Sequence, residues 1–128
     1  MNKIIGNFGE EFVSKYMQQK GYSLVERNFH SRFGEIDIIV KNSEYIVFIE
    51  VRTRKGNSII SGVESVDTKK QKKIIKTAMM YLNKNHTELQ PRFDVVEVNY
   101  DNKCGKKFIK INHIENAFSW RDEYDETF

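Results

Sequence analysis

Two acidic residues stand where an apolar strand pattern leaves little room for charge: Asp37 in "GEIDIIV" and Glu50 in "VFIEVRTR". The segments around them are rich in β-branched and aromatic residues, as buried strands are. A two-residue turn at Ser43 and Glu44 would pair them antiparallel, setting Val40 against Val47, Ile38 against Ile49 and Asp37 against Glu50. Glu35 would then face Arg52, and all four charged side chains would share one face of the sheet. Carboxylates directly opposite on paired strands repel. At a half-buried site one of them takes up a proton, or positive charge sits between them. Arg52 could serve as a cross-strand ion pair to Glu35 and Glu50, or the group could be solvated at a sheet edge. A divalent cation is the alternative with chemical consequences, because Mg²⁺ and Mn²⁺ prefer oxygen donors and accept one or two carboxylates together with water and phosphate.

Other residues bear on that choice. Glu10, in "GNFGEEF", lies in an amphipathic helix pattern and is placed to reach the sheet; it could equally be a solvated glutamate near a helix start. A second helix pattern runs from about Val63 to Asn85. On its wheel Lys69, Lys72, Lys73 and Lys76 gather on a solvated basic face, opposite Val66, Ile74, Ala78, Tyr81 and Leu82. Lys70 and Gln71 instead fall inside or at the edge of the apolar sector. A lysine turned toward the sheet needs an anion there, unless its stem carries the ammonium out to water.

The elements that must position these groups follow in the order helix, three strands, long helix, strand, and one strand more. The first helix, marked by Ile4, Ile5, Phe8, Phe12, Val13, Tyr16 and Met17, has its stop at Gly21. Strands follow at "YSLVERNF", "EIDIIVK" and "EYIVFIEVR". After the polar loop "RKGNSIISG" and the long helix come "RFDVVEVNY", a turn at "DNKCG" that holds Cys104, and "KFIKINHI". The segment "NAFSW" reads as a short helix. Three strands with short turns predict an antiparallel meander, and the long helix predicts a crossover to a strand parallel to the third. Apolar residues on both phases of the central strands call for helices on both faces.

At 128 residues, with 39% hydrophobic and 12% aromatic content, the chain suits one domain over residues 1–120, followed by an acidic tail over 121–128. The net charge of +3 includes that tail, so the body of the chain is more basic, compatible with a polyanionic partner. A single cysteine excludes a disulfide framework. No apolar run approaches a membrane span, and a cytoplasmic protein without a membrane partner is the expectation. His30, His86 and His113 have no metal-binding spacing, and neither a glycine-rich phosphate loop nor a GxSxG element occurs.

Together "GNFGEEF", "GEIDIIV", "VFIEVRTR", "KKQKKIIKTAMMYL" and "RFDVVEV" resemble the YraN-like family of small bacterial proteins over about residues 3–118, in the same order. That family is placed in the PD-(D/E)xK nuclease superfamily, similar in layout to archaeal Holliday-junction resolvases. The resemblance implies a restriction-endonuclease-like α/β fold: a mixed central sheet with core order αβββαβ, flanked by helices. It also implies a metal-dependent endonuclease acting on DNA rather than RNA, with branched DNA as a candidate substrate and a homodimer natural for junction cutting.

Residue by residue, the resemblance makes Asp37, Glu50, Arg52 and Lys70 catalytic. Glu10, Asp37, Glu50 and the main-chain carbonyl of Val51 become ligands to Mg²⁺ or Mn²⁺, with Glu35 and Gln71 in support. Apart from the resemblance, the basic residues Arg27, Arg32, Arg54 and Lys55 could line a phosphate-contacting surface, and Lys69 and Lys73 a second, or each could be a solvated surface charge. The proline of the superfamily signature is Ile36 here. Its lysine is Arg52, which keeps a positive charge but cannot readily act as a general base. The alternative is a protein of the same fold that binds nucleic acid without cutting it.

Overall fold

The computed structural model describes residues 3–56, 66–103 and 106–119, with side chains placed for residues 8–56, 66–101 and 109–119. Cys104, the loop residues 57–65 and the acidic tail from Arg121 lie outside the described residues. The elements are α1 (Lys3–Gln19), β1 (Ser23–Ser31), β2 (Gly34–Lys41), β3 (Tyr45–Lys55), α2 (Thr68–Lys84), β4 (Gln90–Lys103) and β5 (Lys106–Phe118). One five-stranded sheet runs in the order β1-β2-β3-β4-β5, antiparallel except for β3 beside β4. This is the mixed sheet and αβββαβ core of the restriction-endonuclease-like fold expected from the sequence.

The helices cover the two faces. Val13 and Met17 of α1 pack on Ile38, Val40, Val47, Ile49, Val96 and Val98. Ile74, Ile75, Ala78 and Tyr81 of α2 pack on Ile39, Ile46, Phe48, Phe93 and Val95. Alternate residues of β2 and β3 therefore feed two cores, which is why these strands are apolar on both phases. Gly21 ends α1 with φ +100° while the amides of Gly21 and Tyr22 donate to the carbonyls of Gln18 and Met17, a Schellman stop.

Two element boundaries differ from the sequence expectation. The long helix begins at Thr68, because Asp67 caps it by accepting the Lys70 amide at 2.8 Å. Val66, assigned to the helix stripe by its spacing, is buried just before that cap. Asn116–Phe118, expected as the start of a short helix, instead prolong β5. Asn116 adopts φ +51° at a register shift opposite Phe93 and Val95, and its amide donates to the Asp94 carboxylate at 3.0 Å.

That carboxylate, fully buried, organises the α1 side of the sheet. Arg92 donates to both its oxygens at 2.9 and 2.8 Å, and His113 Nε2 lies 2.7 Å from Oδ2. Arg92 also donates to the Tyr22 hydroxyl, while His113 Nδ1 meets the Tyr16 hydroxyl at 3.3 Å and Lys20 Nζ at 3.1 Å. The end of α1 is thus fastened to β4 and β5. Burial by itself would raise the Asp94 pKa, but the bonds from His113, Arg92 and the Asn116 amide outweigh it and hold the carboxyl below its ordinary range. Replacing Asp94 by Ala leaves Arg92 buried without its anion. Chemical denaturation at pH 7 is expected to show a loss of about 3–5 kcal/mol; a loss under 1 kcal/mol would mean the cluster is not a fastening.

Candidate active site

Pairing between β2 and β3 follows the register expected from a two-residue turn: Lys41 with Ile46, Val40 with Val47, Ile39 with Phe48 and Ile38 with Ile49. Asn42 closes that turn, its side-chain oxygen accepting the amides of Glu44 and Tyr45. The described ladder stops at Ile38 and Ile49, immediately before Asp37 and Glu50. The two acidic residues therefore flank the mouth of a fork between the strands.

Asp37 is turned into that fork by an irregularity on its other side. β1 pairs Arg27 with Ile38 and Phe29 with Ile36, leaving Asn28 beside Asp37 with φ +54°, a left-handed conformation that asparagine tolerates. Ile38 belongs to the core under α1 and Ile36 to the core under α2, although residues two apart on a regular strand share a face. The chain changes face at Asp37. Its Oδ2 accepts the Val51 amide at 2.8 Å, a bond that a ladder carbonyl would otherwise take. The amide and carbonyl of a strand residue leave on the same edge, so the Val51 carbonyl also faces the fork.

Asp37 is 9% exposed and Glu50 5%. Burial, the charge of Glu50 and a hydrogen bond to it raise the Asp37 pKa to about 8, against the opposing pull of the Val51 amide. Glu50 Oε2 is met by two cations, Arg52 Nη2 and Lys70 Nζ, each at 3.3 Å. Lys70 reaches it from the first turn of α2, which Asp67 and Gln71 secure. Gln71 Nε2 donates to the Val66 carbonyl at 2.9 Å, so its place is at the helix entry.

Glu10 comes from the α1 side, and its charge contributes to the Asp37 shift. Gly9 permits that approach, because a Cβ there would overlap the Thr53 hydroxyl of β3. Glu10 Oε1 is buried without a hydrogen bond, and its nearest cation is Arg27 Nη2 at 3.7 Å. Among the described residues no three of His, Cys, Asp and Glu gather tightly enough to form a metal cage. The donors suit a hard cation that keeps most of its water: two carboxylates and a carbonyl at the fork, with the charge of Glu10 felt at Asp37.

Several expected positions fall elsewhere. Glu35 does not face Arg52. It lies opposite His30 on β1, its carboxylate 3.4 Å from His30 Nδ1 and half exposed, because the β2–β3 pairing ends before reaching it. Arg27 is held by Glu11 at 2.7 Å as well as by Glu10. Arg54 Nε lies 3.3 Å from Glu97 Oε2 without hydrogen-bond alignment. Lys55, Lys69 and Lys73 are exposed, as is Arg32.

Glu97 itself, 2% exposed, escaped notice in the sequence. The parallel register sets it beside Arg52, so β3 and β4 carry alternating charges on the α2 face. Its position two and four residues after the buried Val95 and Phe93 was the available signal.

An αβββαβ core whose central strands part around a buried acidic pair, with two cations on one carboxylate, defines an α/β protein of restriction-endonuclease-like architecture. Its family is defined by sequence. The model of uncharacterised protein family UPF0102 matches residues 9–98, and the chain belongs to that family. A UPF0102 protein of Caldanaerobacter subterraneus subsp. tengcongensis is 43% identical over 117 residues, covering 91% of this chain and 95% of its own. One from Clostridium botulinum strain 657 is 45% identical over 119 residues, with the same coverage. One from Syntrophomonas wolfei is 42% identical over 120 residues, covering 92% of this chain and all of its own.

The raised Asp37 pKa has a testable sign. Above about pH 4 the unfolded chain releases this proton, while the folded chain keeps it to about pH 8. Without divalent metal, its contribution to stability is therefore present below pH 4 and lost as pH rises to 8. Asp37→Asn retains an acceptor for Val51 and removes the charge. In EDTA at pH 8.5 it is expected to melt higher than the unmodified protein, by about 1–3 kcal/mol of stability, with no gain at pH 4. A variant destabilised at both pH values would contradict the repulsion.

Proposed function

We propose that the protein is a metal-dependent endonuclease of the PD-(D/E)xK superfamily, hydrolysing phosphodiester bonds in DNA, with branched DNA a candidate substrate form. The observation that carries this reading is the buried Asp37–Glu50 pair at the β2–β3 fork, with Lys70 and Arg52 converging on one of its carboxylates. A Mg²⁺ or Mn²⁺ ion held by Asp37, Glu50 and the Val51 carbonyl, with Glu10 in reach, would supply the charge that polarises the scissile phosphate and acidifies an attacking water.

The chain's own groups do the rest. Asp37 and Glu50 provide the negative charge that selects a divalent cation. The amide of Val51 fixes the rotamer of Asp37, so that the site is ordered before substrate arrives. Lys70 and Arg52, both beside Glu50, would neutralise charge on the non-bridging oxygens of a phosphate bound at the fork. Arg52 acts there as a fixed cation and not as a base. Lys70, 43% exposed at its side chain, is open to a ligand entering from solvent.

A second reading is favoured by that same convergence. Glu50 already has two cations, so the cluster could be a structural knot in a protein that binds DNA without cutting it. Labelled linear, flapped and four-way DNA incubated with Mg²⁺ or Mn²⁺ separates the two. Cleavage of at least one form is expected, abolished by Asp37→Asn and slowed about 10²–10³-fold by Lys70→Ala. Tight binding with no cleavage of any form would establish the second reading instead.

A further inference from the structure

Two helical turns beyond Lys70, the tip of the β1–β2 hairpin is bolted to α2. The Phe33 amide donates to Ser31 Oγ at 3.0 Å, and Ser31 Oγ lies 2.9 Å from Thr77 Oγ1. Thr77 Oγ1 donates to the Lys73 carbonyl at 2.8 Å. Ser31 Oγ also lies 3.4 Å from the Gly34 carbonyl, so the two hydroxyls tie the hairpin tip and the helix into one network. Thr77 is fully buried in this chain of bonds. A Cβ at Gly34 would already lie 3.4 Å from that of Lys73, so the hairpin and helix touch closely here.

This docking fixes an aromatic ring between cations. Arg32 Cζ lies 4.9 Å and Lys76 Nζ 5.3 Å from the centroid of Phe33. Among the described residues, no carboxylate lies within ion-pair distance of Arg32, Lys73 or Lys76. Arg27 and Arg54 differ in this respect, being engaged by Glu10, Glu11 and Glu97. Among the described residues, Arg32, Lys73 and Lys76 thus bring three cations without an internal anion together at the hairpin tip and the adjoining face of α2. A ring that orders a guanidinium and an ammonium in advance lowers the conformational cost of their meeting a phosphate.

We propose that Arg32, Phe33, Lys73 and Lys76 form a backbone grip on one DNA strand, fixing where along it the acidic pair acts. The inference rests on the nuclease reading above. Six residues of helix from Lys70 to Lys76 span about 9 Å, the rise of two to three nucleotides along a strand. The grip holds phosphates at that separation from the scissile one. It contacts no base edge, so it reads strand path and not sequence.

The test measures binding apart from cutting. Asp37→Asn protein is titrated with fluorescent flapped DNA in EDTA over a range of salt. Adding Arg32→Ala and Lys76→Ala removes two phosphate contacts, and the slope of log affinity against log salt is expected to fall by about 1.4–1.8. Phe33→Leu keeps an apolar hairpin tip but loses the ring, and is expected to weaken binding roughly 2- to 10-fold. Lys15→Ala, on the opposite face of the sheet, is the control and should change neither. In the cutting-competent protein, the Arg32 and Lys76 replacements should also spread cleavage over more positions around the flap. An unchanged slope in a protein that binds and cuts overturns the grip and leaves the nuclease reading standing. If the parent protein binds none of the DNA forms, the nuclease reading falls and the grip falls with it.

Discussion

Two carboxylates held almost out of water at the mouth of one strand pair constrain everything around them. Asp37 and Glu50 cannot both be charged there without nearby positive charge. Asp37 is the member whose pKa rises, while Glu50 is faced by Arg52 and Lys70. The surrounding structure holds the two carboxylates in this arrangement. The ladder stops just before the pair, Asn28 takes a left-handed conformation beside Asp37, and Gly9 lets α1 bring Glu10 close. A domain of this size has a net stability of only about 5–15 kcal/mol. Burying two carboxylates that need a shared proton or a cation between them is costly against that margin, which is the physical reason to assign the pair a use.

Two polar centres divide the labour between the faces of the sheet. Asp94 carries a lowered pKa because every oxygen it presents is met by a donor, and it ties α1 to β4 and β5. Asp37 carries a raised pKa because one backbone amide does not offset burial and Glu50. Both are buried aspartates on neighbouring parts of the same sheet. One is satisfied and structural, while the other is under-satisfied and faces a fork that α2 borders with cations. That contrast, and not acidity by itself, distinguishes the candidate site from the scaffold.

The sequence made the central hairpin legible because its register depends on a local feature, a two-residue turn closed by Asn42, and because one buried pattern on each phase left Asp37 and Glu50 as the exceptions. The parallel partnership of β3 and β4 was legible too, since a helix between strands requires a crossover. Glu35 was misplaced because strict alternation was carried past the point where the strands part. The change of face at Asp37 depends on the backbone of Asn28, on a different strand. Glu97 and Phe33 acquire their places only through tertiary register, one across the crossover and the other by the docking of a hairpin tip on α2. The extension of β5 through Asn116 was hidden by a bulge that serves Asp94 and leaves no periodic trace in the sequence.

The most direct measurement is Mn²⁺ binding followed by electron paramagnetic resonance at pH 8, where the free aqueous ion has an intense signal that diminishes on binding. Stoichiometric loss of that signal is expected with the unmodified protein, and at least a tenfold weaker effect with either Asp37→Asn or Glu50→Gln folded to the same extent. Equal Mn²⁺ affinity in all three proteins, or no binding by the unmodified one at millimolar metal, would contradict a cation site at the fork.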